Sequence, residues 1–147
     1  MMKKIPTKQS ETEKQSNENT TGTLHFDGGS RLNSTSAAYG FVLEIGSTLV
    51  EESEHIGHGT NNQAEYAGLV AGLSKAREMG VTKIHAFGDS ELIVKQVTGE
   101  YAAKHENIRP LYERAKELIP EFDEFTIEHL YRDENCRADK LTKQELD

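Results

Sequence analysis

The 147-residue sequence lacks several features that would assign it to a class of protein at once. Cys136 is its only cysteine, so neither an internal disulfide nor a cysteine-based zinc site can form. No apolar run approaches the roughly 20 residues that a membrane helix requires, and no signal peptide is visible. We therefore expect a cytoplasmic, intracellular protein with no membrane segment, in which Cys136 is a small buried residue.

Positive charge is also scarce, because the formal net charge at pH 7 is -8. This balance argues against a protein that holds nucleic acid by bulk electrostatics, since such proteins normally carry a basic patch. Two classes remain. One is an acidic protein that binds a small ligand or a metal, and the other is a nucleic-acid enzyme whose excess acid partly forms a metal site.

Residues 1–22 contain almost nothing that could build a core. Beyond the initial methionines, Ile5 is their only strongly apolar residue, and they carry four lysines against three glutamates. The sequence therefore predicts a disordered polar tail over 1–22 and one folded domain over 23–147. The folded part then has 13 basic and 22 acidic residues, which is a net charge of -9.

The rest of the chain shows strand and helix patterns separated by turn signals. Strands are predicted over 23–27, 37–44, 49–56, 83–87 and 125–130. Helices are predicted from 61 or 62 to 78, in a short segment between Asp89 and Gly99, over 107–119 and over 134–145. This order predicts an α/β fold, with a mixed five-stranded sheet flanked by helices.

The clearest helix signal begins at the polar turn Gly-Thr-Asn-Asn, residues 59–62. Thr60 with Gln63, and Asn62 with Glu65, both have the spacing of a capping box. Glu65 lies in the first turn, where a carboxylate is favoured as a cap, so spacing alone leaves its role open between structure and function. The face that follows is apolar and small, which indicates a helix pressed closely against a sheet: Gly68, Leu69, Gly72 and Ala76.

Four carboxylates have positions that would let them converge. Asp27 and Asp89 come at predicted strand ends beside glycines, whereas Glu65 and Asp139 come on predicted helices. A single Asp beside Gly is more often a turn residue. Taken together, however, the four offer only oxygen ligands, which suit hard cations such as magnesium or manganese.

Four motifs carry a resemblance to a known family. They are Asp27-Gly28-Gly29-Ser30 with Asn33, Thr60-Asn61-Asn62-Gln63-Ala64-Glu65-Tyr66, Gly88-Asp89-Ser90, and Asn135 four residues before Asp139. In these motifs and in their order, residues 23–142 resemble the type 1 ribonuclease H family. The resemblance implies a ribonuclease H-like fold. It also implies an endonuclease that cuts the RNA strand of an RNA/DNA hybrid and leaves 5'-phosphate and 3'-hydroxyl ends.

The same resemblance implies site residues. It places the catalytic metal ligands at Asp27, Glu65, Asp89 and Asp139, which would hold two Mg²⁺ or Mn²⁺ ions during the reaction. It places substrate contacts at Gly28, Ser30, Asn33, Thr60, Asn61, Asn62 and Ser90. Arg132, just before Asp133-Glu134-Asn135, is a further candidate substrate contact, as a neighbour of a phosphate or of the metal site. Helix capping is the competing interpretation for one or two of the polar side chains, and an ordinary surface arginine for Arg132. The expected partner is an RNA/DNA hybrid, and the expected assembly is a monomer.

The sequence departs from the family pattern in three places. Leu32-Asn33-Ser34-Thr35 stands where the family often has Gly-Asn-Pro-Gly, and no basic insertion precedes the fourth motif. His129 falls inside a predicted strand, so we do not predict a catalytic role for it. Two alternatives to a ribonuclease H stay open. One is a non-catalytic module that binds nucleic acid or protein, and the other is a nuclease or resolvase of the wider superfamily.

Overall fold

The computed structural model describes residues 20–147, so the predicted tail lies mostly outside the described residues and stays a prediction. A five-stranded sheet in the order β3-β2-β1-β4-β5 organises the described part. The strands are β1 (Thr21–Arg31), β2 (Ser36–Ile45), β3 (Thr48–Gly57), β4 (Lys83–Gly88) and β5 (Glu124–His129). The helices are α1 (Asn61–Glu78), α2 (Glu91–Val97), α3 (Arg109–Leu118) and α4 (Cys136–Leu146). The predicted mixed α/β architecture is confirmed.

The sheet is mixed because its two halves pair differently. Strands β1, β2 and β3 form antiparallel pairs, whereas β4 pairs in parallel with both β1 and β5. The first half needs only tight turns, such as the Gly46 turn with φ +60° between β2 and β3. The parallel half needs helical crossovers, which α1 and the α2–α3 segment supply.

Strand β1 corrects two predicted boundaries. It begins at Thr21, so Thr21 and Gly22 belong to the sheet rather than to the tail. It continues to Arg31, so Asp27 lies inside a strand and not at its end. The reason is that β2 pairs with β1 as far as Arg31 opposite Ser36, which keeps the two glycines after Asp27 extended instead of letting them turn.

Helix α1 packs on one face of the sheet as predicted. Its capping box is complete, since the Thr60 hydroxyl accepts from the Gln63 amide and the Gln63 side chain accepts from the Thr60 amide. Gly72 lies so close to β1 that a Cβ there would meet the Leu24 side chain at 2.5 Å. Leu24, Phe26, Phe41, Leu69 and Leu73 are fully buried in the resulting core.

Helix α4 covers the opposite face. A Cβ on Gly40 of β2 would meet Leu141 Cβ of α4 at 2.7 Å, while the neighbouring Phe41 side chain points into the core beside α1. The predicted start of α4 at residue 134 is wrong by two residues, because residues 132–134 form a 3-10 turn. Cys136, the first residue of α4, is exposed, so its predicted burial is also wrong.

The predicted absence of a membrane segment can be compared with the helices of residues 20–147. None of them is both long enough and apolar enough to cross a membrane.

Candidate active site

Two of the predicted carboxylates lie at the point where parallel strands separate. The last pair of the β1–β4 ladder is Phe26 opposite Gly88, so Asp27 and Asp89 each follow it by one residue. Asp27 is 2% exposed, and the Asp89 side chain is 3% exposed. Since the strands are parallel and in register, these two side chains reach the same edge of the sheet.

Gly28 brings the third carboxylate to this edge. A Cβ at Gly28 would lie 2.3 Å from the Ala64 carbonyl carbon and 2.4 Å from the Glu65 backbone nitrogen. No side chain fits at that distance, so the first turn of α1 rests directly on the β1 backbone. Gly68 continues this close approach, since a Cβ there would lie 2.9 Å from the Asp27 carbonyl oxygen. The two glycines thus place Glu65 against Asp27.

The three carboxylates form a compact cluster. One oxygen from each of Asp27, Glu65 and Asp89 lies within 4.8 Å of the others. Asp89 Oδ2 is buried and has no hydrogen-bond partner among residues 20–147. A buried acceptor without a partner is costly, and a cation would remove that cost. Three oxygen ligands around one point fit a hard divalent cation such as magnesium or manganese.

The electrostatics of the cluster reflect burial and mutual repulsion. Burial, a hydrogen bond with Asp89, and the charges of Asp89 and Asp27 together raise the pKa of Glu65 to about 9. Burial and then the Asp89 charge raise the pKa of Asp27 to about 7, against a smaller opposing effect of a hydrogen bond with Thr142. Without a cation, the cluster therefore binds protons that ordinary carboxyl groups release near pH 4.

Asp139, the fourth predicted ligand, lies outside this cluster. Its side chain is 15% exposed, and its Oδ2 forms an ion pair with Lys143 Nζ at 3.1 Å. Lys143 lies one turn further along α4. Asp139 nevertheless shares a cleft of about 250 Å³ with Asp27 and Glu65. It is close enough for its charge to raise the pKa of Asp27. The structure therefore brings three of the four carboxylates together and leaves the fourth across the cleft.

Helix α4 is held at the site by one buried amide. Asn135 is 1% exposed, and its Nδ2 donates to the Phe26 carbonyl oxygen at 2.9 Å, one residue before Asp27. Its side chain makes no capping bond to α4 within the described residues. Because the amide bonds β1 and not its own helix, it fixes the start of α4, and therefore Asp139, relative to Asp27.

Arg132 lies at the cleft in the 3-10 turn before α4. Its Nε is 3.6 Å from Asp89 Oδ2, which is ion-pair range but longer than a hydrogen bond, and its side chain is 70% exposed. The guanidinium also opposes the upward pKa shifts of Asp27 and Glu65. Arg132 is thus a neighbour of the carboxylate cluster and not an isolated surface arginine.

Two predicted substrate contacts meet each other beside the cleft. The Ser30 amide and hydroxyl both donate to Asn61 Oδ1, at 2.8 and 2.9 Å. This pairing orients the Asn61 amide so that its nitrogen stays available as a donor. Both side chains line the cleft that contains Asp27 and Glu65.

The other predicted contacts have varied surroundings. Thr60 caps α1, and the Ser90 hydroxyl caps α2 by accepting from the Ile93 amide at 3.3 Å. Asn62 lies in a separate groove between α1 and α2. Asn33 is exposed in a turn whose residues 32, 33 and 34 all have left-handed φ angles between 55° and 68°. Substrate contact by these four residues stays a prediction.

Several residues that line the cleft were not predicted as site residues from the sequence, and three of them are polar or charged. Thr142 and Lys143 line the cleft from α4, and Arg31 lines it from the end of β1. Helical spacing gave a usable signal for Thr142 and Lys143, which follow Asp139 at i+3 and i+4. No sequence signal pointed to Arg31, because β1 was expected to end at Asp27.

A larger groove of about 590 Å³ lies between α1 and α3, and none of the four carboxylates lines it. Its lysine and two arginines are already paired with acids: Lys75 with Glu52 and Glu78, Arg77 with Glu121, and Arg114 with Glu117. The groove therefore offers no free charge for a ligand, and the carboxylate cleft is the better candidate site.

Comparison with protein families gives one match over most of the chain. Residues 25–145 match a family described as "Reverse transcriptase-like". The chain is 42% identical over 125 residues to Ribonuclease HI of Halobacterium salinarum. This match covers 84% of the chain and 63% of the relative. The chain also matches the bifunctional protein Rv2228c of Mycobacterium tuberculosis, covering 35% of that protein's length.

Solved structures show the same similarity. RNase H1 of H. salinarum superposes with a TM-score of 0.81 at 42% identity, covering 86% of this chain and 98% of that chain. The N-terminal RNase H domain of Rv2228c superposes with a TM-score of 0.84 at 37% identity, covering 88% of this chain and 95% of that chain. LC11-RNase H1, solved in complex with an RNA/DNA hybrid, superposes with a TM-score of 0.79 at 32% identity, covering 86% of this chain and 96% of that chain.

Proposed function

Since the chain belongs to the type 1 ribonuclease H family, we propose that it is an endonuclease that hydrolyses the RNA strand of RNA/DNA hybrids. Similarity to LC11-RNase H1, a structure that contains such a hybrid, supports this choice of substrate. The chain spans 63% of the Halobacterium relative and 35% of Rv2228c, so the proposal concerns the domain described here.

One observation carries the proposal of catalysis. Three carboxylate oxygens lie within 4.8 Å of one another, and the buried Asp89 Oδ2 has no hydrogen-bond partner within the described chain. A module that only binds nucleic acid gains nothing from this arrangement, because clustered acids repel phosphates and destabilise the fold. The cluster is explained if it holds the metal ions of a nuclease.

We assign Asp27, Glu65, Asp89 and Asp139 as the ligands of two divalent cations, Mg²⁺ or Mn²⁺. Two cations held by these carboxylates would supply an activated water and stabilisation of the departing 3'-oxygen, and the expected products would have 5'-phosphate and 3'-hydroxyl ends. The protein's part is to fix the carboxylates before substrate arrives. Gly28 does so for Glu65, and Asn135 does so for Asp139.

Substrate recognition would use neutral donors on the cleft wall. The Ser30 and Asn61 pair leaves the Asn61 amide nitrogen available to base edges or 2'-hydroxyls in a wide, shallow minor groove. Gly28 lines the cleft beside this pair, where its backbone would contact the substrate. Arg132 offers a positive charge at the cleft. Asn33, Thr60, Asn62 and Ser90 complete the proposed set. These contacts would distinguish RNA from DNA without the bulk positive charge that the sequence lacks.

The decisive experiment compares substrates and metals. Labelled RNA/DNA hybrid, double-stranded RNA and double-stranded DNA are each incubated with the protein in Mg²⁺, in Mn²⁺ and in chelator. We expect cleavage of the RNA strand of the hybrid with either metal and none in chelator. Binding of the hybrid without cleavage in both metals would favour a non-catalytic module. Cleavage of another duplex in preference to the hybrid would favour a different nuclease of the superfamily.

A further inference from the structure

Three cations line the cleft. Two of them, Arg132 and Lys143, each lie against one of the four carboxylates, whereas Arg31 is paired with Asp147. Arg132 lies 3.6 Å from Asp89, and Lys143 Nζ lies 3.1 Å from Asp139 Oδ2. The Lys143 side chain is 55% exposed, and Lys143 lines the same cleft as Asp27 and Glu65. An ammonium group therefore contacts a carboxylate oxygen of the proposed fourth metal ligand.

We propose that Lys143 is the counter-ion that Asp139 exchanges for a divalent cation, so that metal binding frees the Lys143 ammonium to bind a phosphate of the nucleic acid. The inference rests on the proposed function, because it needs Asp139 to bind metal and the cleft to bind a polyanion. It adds a substrate-binding residue and a reason why metal and substrate bind together.

The geometry lets this exchange of partners occur with a small cost in free energy. Lys143 lies one helical turn after Asp139 and its own side chain is 55% exposed, and pairs at this spacing are weak enough to be broken by a better ligand. Lysine reaches a phosphate as a flexible point charge, so a change of rotamer is enough to redirect it. Asp139 meanwhile stays in place, because the Asn135 amide holds the start of α4 on β1.

The charge balance of the cleft also favours such an exchange. With Lys143 paired to Asp139, the cleft presents the acids Asp27 and Glu65 to a phosphate, while Arg31 and Arg132 are also paired with acids. Once Asp139 has exchanged its partner, the ammonium becomes a free positive charge at the cleft wall. A local change of sign would then couple the two binding events without a change of fold.

The first test measures calcium binding to the free protein by titration calorimetry, with no nucleic acid and no cleavage. Lys143→Met removes the charge at similar length. Lys140→Met is the matched control, because Lys140 lies on the same helix, is exposed and lines a different groove with Glu51 and Arg137. We expect Lys143→Met to bind calcium about two- to threefold more tightly than Lys140→Met. The difference should disappear when Asp139→Asn is added to both variants.

The second test measures hybrid affinity by fluorescence anisotropy. In calcium, Lys143→Met should bind about five- to tenfold more weakly than Lys140→Met, and its plot of log affinity against log salt should be shallower by about one phosphate contact. In chelator the two variants should bind alike. Lys143→Arg should restore most of the affinity in calcium, since it keeps the charge.

Equal calcium and hybrid affinities for Lys143→Met and Lys140→Met would overturn the inference. So would a hybrid defect of Lys143→Met that is the same in chelator as in calcium, because that result would mean a permanently free lysine. These outcomes are separate from failure of the proposed function, which would appear as no cleavage of hybrid by the unmodified protein in Mg²⁺ or Mn²⁺.

Discussion

The two halves of the site are built in different ways. The inner half, Asp27, Glu65 and Asp89, is buried and has one carboxylate oxygen without a hydrogen-bond partner in the described chain. The outer half, Asp139 with Lys143 and Arg132, is more exposed and lined by side chains in ion pairs. The inner half is positioned by backbone contact at Gly28, whereas the outer half depends on one amide hydrogen bond from Asn135.

The difference shows which half of the site carries electrostatic repulsion in the folded state. Packing of α1 on β1 holds three acids together against their repulsion, so the inner half is strained electrostatically until a cation binds. The outer half is already neutralised by side chains that can move. We therefore expect the inner half to control whether the reaction occurs, and the outer half to control how metal and substrate are exchanged.

The largest effect is expected from the inner half. Asp89→Asn should lower hybrid cleavage at least about a thousandfold, roughly 4 kcal/mol of barrier. An amide is a poorer metal ligand and cannot help neutralise a cation. In chelator, however, the variant should melt at a higher temperature than the unmodified protein, because one repelling charge has been removed.

Cleavage assays in Mg²⁺ and thermal unfolding in chelator test the two parts separately. Comparable cleavage by Asp89→Asn would reject Asp89 as a ligand. A lower metal-free melting temperature would reject only the claim that the inner half stores repulsion.

The next largest effect concerns the backbone contact. Gly28→Ala should destabilise the protein by about 2–4 kcal/mol, because its Cβ would lie 2.3–2.5 Å from the backbone of residues 64 and 65. Gly29→Ala is the matched control, since its Cβ would meet only side-chain atoms at 3.6 and 3.8 Å. Urea unfolding of both variants gives the comparison. Equal stabilities would contradict direct contact between α1 and β1.

A smaller effect is expected in the outer half. Asp139→Asn should lower cleavage about ten- to a hundredfold, less than Asp89→Asn, because Asp139 lies outside the compact cluster and is partly exposed. Steady-state cleavage rates of the two variants in the same metal measure the ratio. If Asp139→Asn were as inactive as Asp89→Asn, the two halves would contribute equally to the chemical step.

Much of this fold was predictable from the sequence because local signals agreed with the tertiary structure. The capping box at Thr60 and the small residues Gly68 and Gly72 correctly predicted where α1 begins and how closely it packs. The end of β1 was not predictable locally. Gly28 and Gly29 usually signal a turn, but pairing with β2 keeps them extended.

The site was predictable in composition but not in arrangement. Four carboxylates were identified, yet nothing in their spacing showed that Asp139 would lie outside the compact cluster of the other three. The role of Asn135 was also hidden, because its partner is the Phe26 carbonyl oxygen 109 residues away. Such contacts depend on the packing of α4 on the sheet, which local sequence does not encode.

The last predicted effect is a pH dependence that belongs to the inner half and is measured without metal. The folded-state pKa values of Asp27 and Glu65 are raised to about 7 and about 9, above the roughly 4 of unfolded carboxyl groups. At pH values between the unfolded-state and the folded-state pKa of each group, the folded protein binds more protons than the unfolded chain. The metal-free free energy of unfolding should therefore fall as the pH rises, by at most about 1.4 kcal/mol per pH unit for each group.

Urea unfolding in chelator between pH 5 and pH 8 isolates this contribution when the unmodified protein is compared with Glu65→Gln. Glutamine resembles the protonated acid and cannot ionise, so its profile should be flatter and the gap between the two proteins should widen with pH. Saturating calcium should remove or reverse the slope of the unmodified protein, because metal ligands must be deprotonated. Parallel profiles in chelator would mean that Glu65 ionises normally in the folded state. The repulsion that distinguishes the inner half from the outer half would then have to be carried by Asp27 and Asp89 alone.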